Sequence, residues 1–274
     1  MLGLGNSITS GASAESVSVL DLASKVLHVS GFNVTSSTIG GEKLVSAMEN
    51  LADGSSITVG QSVDDKKPIH DVAGKGVHFP FTSADAEVDQ LDLSGAITLT
   101  DAFTVFFVSK HSSPDQQSKA YQFVTGSYTD TNNKSSIYLF THEDDGSDPY
   151  FNIRAAQGGV TDEIGIEQFE NGTPSNVKSF ICITKDAGVN ATVKVYQSNW
   201  YDFYTEISDT DFDANVDFVI DQIGGFEPFQ NPSGGTAVPQ GNMHLYELGV
   251  YNVALTEAQV EEISSIMISK HNID

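Results

Sequence analysis

Basic side chains are scarce in this chain: 13 Lys and Arg stand against 37 Asp and Glu, a formal charge of -24. Nucleic acid and anionic membranes would be repelled by such a surface, so neither is an expected partner. An acidic surface also stays soluble at high salt, where screening removes its self-repulsion. There is one cysteine, Cys182, so no intrachain disulfide can form. It sits in the apolar run Phe180 to Ile183 and is expected as a buried small hydrophobe. No apolar run approaches the roughly 20 residues of a membrane span. The opening residues MLGLGNSITSGASAES carry no Lys or Arg and only a short apolar patch, which does not make a secretory signal. The expectation is a protein made in the cytoplasm that leaves, if it leaves, by lysis or a dedicated route. Catalytic signatures are missing as well: no P-loop, no HExxH, no CxxC and no GxSxG elbow.

What is present is enough for a core. With 274 residues, 39% of them hydrophobic, the chain can form one large domain. No clean boundary follows residue 17, so residues 1–17 read as an N-terminal arm or anchor and 18–274 as the domain. Short strands are predicted at Lys25–Val29, Gly31–Thr35, Ile57–Val59, Gly76–Phe79, Leu91–Leu93 (with a turn at Ser94-Gly95), Ile137–Thr141, Tyr150–Arg154 and Val216–Ile223. A hairpin is predicted from Lys178–Lys185 and Ala191–Gln197. Glu42 to Leu51 fits helix or strand equally well. Phe103–Lys110 is apolar on both sides and should lie centrally between two layers. The C-terminal segment predicts a strand around Met243–Val250 and then a helix. Thr256 and Gln259 form its capping box, Leu255 and Val260 its staple, and Val260, Ile263, Ile266 and Met267 its buried face. Many short strands with one good helix predict an all-β, two-sheet antiparallel β-sandwich lidded by a C-terminal α-helix.

Four stretches carry a resemblance. They are Pro68 with Gly76-Val77-His78-Phe79; Leu91-Asp92-Leu93 followed by Phe103 to Lys110; Ile223-Gly224-Gly225; and Leu245 to Asn252 with Leu255-Thr256 and Lys270-His271-Asn272-Ile273. In order and spacing they resemble the concanavalin A-like lectin/glucanase superfamily in its laminin G-like form, over about Val26 to the C-terminus. The resemblance implies a jelly roll. It also places a strand at Met48, where the family carries tryptophan. Met1-Leu2-Gly3-Leu4-Gly5-Asn6-Ser7-Ile8 is similar to the opening of virion proteins of marine tailed bacteriophages. That implies a virion location, with residues 1–17 binding other virion proteins.

Glycosidases of this superfamily use glutamate-x-aspartate-x-x-glutamate on one strand, with carboxylates about 5 to 5.5 Å apart for retention. Glu163, Glu167 and Glu170 have the wrong spacing, in what reads as a loop, so no catalytic residue is assigned. His28, His78 and His244 read as structural strand residues. Two acidic clusters could offer hard oxygens to calcium. Asp144, Asp145 and Asp148 are the candidates of the first, while the alternating run Asp209 to Asp217 lacks the glycine and glutamate of an EF-hand. Trp200, Tyr201, Phe203 and Tyr204 form an aromatic cluster suited to a sugar face or a subunit interface, including a homo-oligomer. The expected function is a non-enzymatic structural protein of a tailed-phage virion: a capsid decoration, head fibre or tail-associated subunit. The alternative is a carbohydrate-binding module that recognises host surface glycans.

Overall fold

The computed structural model describes residues 18–80, 89–111, 119–127, 134–141, 150–157, 160–166, 177–187, 193–198, 217–225 and 242–273. Among the described residues, sixteen strands are followed by one α-helix. The first six strands are β1 Lys25–Ser30, β2 Val34–Ile39, β3 Glu42–Met48, β4 Val59–Gly60, β5 Ile69–Asp71 and β6 Gly76–Phe79. Then come β7 Gln90–Leu99, β8 Phe103–His111, β9 Lys119–Ser127, β10 Lys134–Thr141 and β11 Tyr150–Gln157. The last are β12 Val160–Ile166, β13 Ser179–Lys185, β14 Val193–Ser198, β15 Phe218–Gly224 and β16 Met243–Tyr251, before helix α1 Glu257–His271.

All pairings are antiparallel. One hydrogen-bonded path runs β12-β11-β10-β9-β15-β7-β4-β3-β5-β6-β16-β8-β13-β14. It turns over at β3, which pairs with β4 through Met48–Val59 and with β5 through Leu44–Ile69. The two halves of the path thereby face each other as the layers of a sandwich. Their inner faces share one core: Leu91, Ile97, Val124, Ile137 and Ile220 from one side, Val105, Ile181, Leu245, Leu248 and Val250 from the other. Phe107 stacks on Phe123 with centroids 3.9 Å apart, and Phe103 on Phe218 at 5.2 Å, joining the layers directly.

Strand β8 is buried on both sides, as its sequence predicts. Phe103, Val105 and Phe107 enter the inter-layer core, whereas Phe106 and Val108 enter a second core with Phe180, Cys182, Tyr246 and Tyr251 under the helix. Helix α1 closes that second core with Val260, Ile263 and Met267. Its capping box is formed: Thr256 Oγ1 accepts from Gln259 N–H at 3.4 Å, and Gln259 Oε1 accepts from Thr256 N–H at 2.9 Å. The helix ends on Asn272 in the left-handed region at φ 49, which lets Ile273 N–H reach back to Ile268 O.

The structure moves several boundaries. Gly31 to Asn33 turn back on β1, Asn33 N–H bonding Ser30 O, so the second strand begins at Val34 instead of Gly31. Glu42–Met48 is a strand, as the resemblance implied. The turn predicted at Ser94-Gly95 is an irregularity inside β7. There the register against β15 jumps from Ile97 to Asp92, while Leu93 stays paired with Val59 of β4. Strands β9 and β12 were not predicted, and Glu163 lies in β12 instead of a loop. The arm 1–17 lies outside the described residues.

A tight contact at the helix-side face gives a stability test. A Cβ built on Gly249 would come within 2.1 Å of Phe106 Cε1. Gly249→Ala is expected to lower unfolding free energy by about 1–3 kcal/mol, the usual cost of overpacking. Urea denaturation measures this, and an unchanged midpoint would show that the Phe106 ring has room to swing.

Candidate functional site

Two strands share one edge of β16. β1 pairs with its second half, Ser30 opposite Glu247, and β6 with its first, His78 opposite His244. At the seam between them Gly31 N–H bonds Tyr246 O at 2.8 Å. A Cβ on Gly31 would meet Lys75 O at 2.2 Å, so only glycine fits there. An irregularity between Leu245 and Glu247 puts His244, Tyr246, Glu247, Gly249 and Tyr251 toward the helix-bearing face.

Glu247 is fully buried there and receives five contacts. His28 Nε2 lies 2.6 Å from Oε1 and His271 Nε2 3.0 Å from Oε2. Ser30 Oγ donates at 2.8 Å, and Lys270 Nζ donates to both oxygens at 2.8 and 2.9 Å. Burial alone would raise this carboxyl. The hydrogen bonds from His271, His28 and Lys270 outweigh it and hold the group well below the ordinary carboxylate range. Its partners come from β1 and the last turn of α1, so the charge ties helix to sheet. With every position filled by protein, this cluster is a structural clasp.

Beyond the helix end the same face stays open. His78 and His244 stack with centroids 4.3 Å apart at 10°. His78 Nε2 bonds Asn242 Oδ1, and Asp71 Oδ2 lies 3.3 Å from His244 Nδ1. Across β16, His244 is paired with Lys110 of β8. Ser109 is paired with Ser179, so the register carried one residue further sets Lys110 beside Lys178. His78, His244, Lys110 and Lys178 thus form one row across β6, β16 and β8 to the residue before β13. All four are half-buried. The Lys178 ammonium lies 4.3 Å over the Tyr246 ring and donates to His271 O at 3.3 Å. Exposed Phe32 completes the rim, with Lys75 Nζ 4.8 Å and Lys270 Nζ 5.1 Å from its ring centre. Burial first, then His78 and Lys110, push His244 down to about 4 against the pull of Asp71, so it is neutral at neutral pH.

No protein-family model and no curated protein matches the sequence. Solved structures do match the fold. The binding domain of botulinum neurotoxin serotype D/C VPI 5993 superposes with a TM-score of 0.56 at 13% identity, covering 91% of this chain and 53% of that one. The receptor binding domain of botulinum neurotoxin D gives 0.53 at 13%, with 92% and 54% covered. The binding domain of botulinum neurotoxin DC, solved in complex with SialylT, gives 0.52 at 12%, with 91% and 52% covered. The fold is a lectin-like β-sandwich. This chain spans about half the length of the domains it matches, and all three are binding domains.

Of the residues singled out by sequence, Trp200, Tyr201, Phe203 and Tyr204 lie outside the described residues, as do Asp144, Asp145 and Asp148. His28 is structural, as expected. His78 and His244, read as structural too, stack on each other and contact Asn242 and Asp71, and they lie in the row. Lys75, Lys110 and Lys178 were missed. The available signal was parity: Lys110 follows Phe106 and Val108 on the helix-side face, where a buried strand would otherwise stay apolar. Among the described residues no three His, Cys, Asp or Glu side chains come together to hold a metal ion.

The clasp predicts an acid limb. Glu247 titrates lower folded than unfolded, so its contribution is complete above its unfolded value near 4.5 and fades as pH falls through the folded value. Glu247→Gln leaves Lys270 and the histidines without their anion and should cost about 3–5 kcal/mol at neutral pH. The gap between wild type and variant should narrow steadily below pH 4.5 in denaturant titrations. A gap independent of pH would refute the clasp.

Proposed function

We propose that this chain is a non-enzymatic carbohydrate-binding module whose glycan seat is the open end of the helix-bearing sheet. The observation that carries this reading is the row His78–His244–Lys110–Lys178, linked through Tyr246 and His271 to exposed Phe32. It sets planar hydrogen-bonding groups on the same face as an exposed aromatic ring, and a sugar uses both, for its hydroxyls and for its C–H face. The neighbours on this fold support it, since they are receptor-binding domains and one was solved with SialylT bound. The first expectation, a virion structural protein, rests on the likeness of Met1 to Ile8. It combines readily with the second: residues 1–17 would anchor the subunit and the sandwich would present its seat to host surface glycans.

The test is an array of bacterial surface polysaccharides probed with the whole chain. Binding is expected, and Phe32→Ala should weaken it about tenfold, the value of a modest stacking contact, with the fold retained by circular dichroism. EDTA should leave binding on this face intact. Loss of binding on chelation would move the seat to the calcium candidates Asp144, Asp145 and Asp148, and an array without any hit would refute the reading.

A further inference from the structure

We propose that the row His78–His244–Lys110–Lys178, with Lys75 at its rim, receives the carboxylate or sulfate groups of an acidic polysaccharide. This rests on the glycan-seat reading above and names the class of glycan.

The first support is charge left uncompensated. In a chain with only 13 basic residues, Lys75, Lys110, Lys178 and Lys270 collect around one row and one phenylalanine. Lys270 is neutralised by Glu247. Among the described residues, no carboxylate stands within ion-pair distance of Lys75, Lys110 or Lys178. Asp71 does not fill the gap: Oδ1 accepts from Gly74 N–H at 2.8 Å and Oδ2 faces His244. Lys178 is held below its ordinary range by burial, then by Lys110 and Lys75, with Asp71 opposing. An anion placed between the ammonium groups would relieve that repulsion.

The second support is backbone strain. Lys75 sits at φ 57, in the left-handed region where glycine or asparagine would be easier. Glycines stand on both sides of it, Gly74 and Gly76, yet this position carries a lysine whose ammonium rests over Phe32. A strained residue whose cationic head meets a ring and, among the described residues, no carboxylate is accounted for if that head has work to do.

The third is the choice among anions. Duplex nucleic acid and anionic bilayers carry dense charge and meet the field of the whole molecule, which at -24 repels them. A polysaccharide with one acidic group every sugar or two needs only local attraction. At physiological salt that attraction reaches about 8 Å, far enough for the lysine row. The histidines are suited to the same ligand: neutral His244, stacked on His78, offers hydrogen bonding to hydroxyls between the charged positions.

The experiment is calorimetric titration of the whole chain with chondroitin sulfate, hyaluronan and dextran, which offer sulfate plus carboxylate, carboxylate alone and no charge. Wild type is compared with Lys110→Ala and Lys75→Gly, and melting temperatures are recorded for all three. At least one charged polymer should bind and dextran should not. Lys110→Ala should lose about tenfold in affinity, as for a charge-assisted contact. Lys75→Gly should also bind more weakly while melting no lower than wild type, because glycine relieves the left-handed backbone. A merely structural Lys75 would not separate the two readouts in that way. If dextran binds as well as the charged polymers and the lysine variants bind normally, the acidic class is wrong and the glycan seat survives. If no polysaccharide of any kind binds, here or on the array, both readings fall. If duplex DNA or phosphatidylserine vesicles bind with the same dependence on Lys110, the row is a general polyanion patch and the proposal is overturned.

Discussion

A strand that is apolar on both faces has to be covered twice. β8 is buried from Phe103 to Ser109. Its inner face is covered by the opposite layer, through Phe107 on Phe123 and Phe103 on Phe218. Its outer face is left to helix α1. Fifteen residues at 1.5 Å each give a helix of about 22 Å, which covers only part of the sheet. The remainder must tolerate water, and there the outward positions change from Phe106, Val108 and Tyr251 to His78, His244, Lys110 and Lys178. The open site is a consequence of how far the helix reaches.

What keeps the helix in that place is mostly apolar, with one ionic exception. Val260, Ile263 and Met267 supply the bulk of the contact, and Glu262 accepts Val19 N–H at 3.0 Å to hold the 3-10 turn Val19–Asp21 that precedes β1. Glu247 adds a directional constraint to that packing, because its hydrogen bonds fix both distance and angle. A fully buried carboxylate with four side chains directed at it tolerates little displacement. The clasp also sets the edge of the open face, since its Lys270 reaches Phe32 and its His271 lies 5.7 Å from the same ring.

The fold was legible in the sequence wherever a single element declares its own environment. β8 shows apolar residues at both parities, and α1 shows cap, staple and stripe within twenty residues; both are as predicted. Short-range patterns fail where a partner strand decides. Ser94-Gly95 has the composition of a turn, yet β4 pairs with Leu93 and holds it extended. Glu42–Met48 fits two periods, and only its pairing with β2 and β4 selects strand. The open row lies further beyond reach. Its members are separated by up to 166 residues and meet only because β16 is shared by β6 and β8 in a particular register. The aromatic and acidic clusters that sequence favoured were conspicuous because they are contiguous, whereas the row across strands is contiguous only in space.

An acidic molecule with a small basic face divides its electrostatics by range. Beyond a Debye length the net charge dominates and repels dense polyanions. Within it, Lys75, Lys110 and Lys178 act on whatever reaches the sheet. Burial strengthens that division. Lys178 is partly desolvated and rests on Tyr246, so its charge is screened less than that of a surface lysine in water. On the proposed glycan seat, the scarcity of basic residues elsewhere would leave few competing cationic positions to hold an anion in a wrong place.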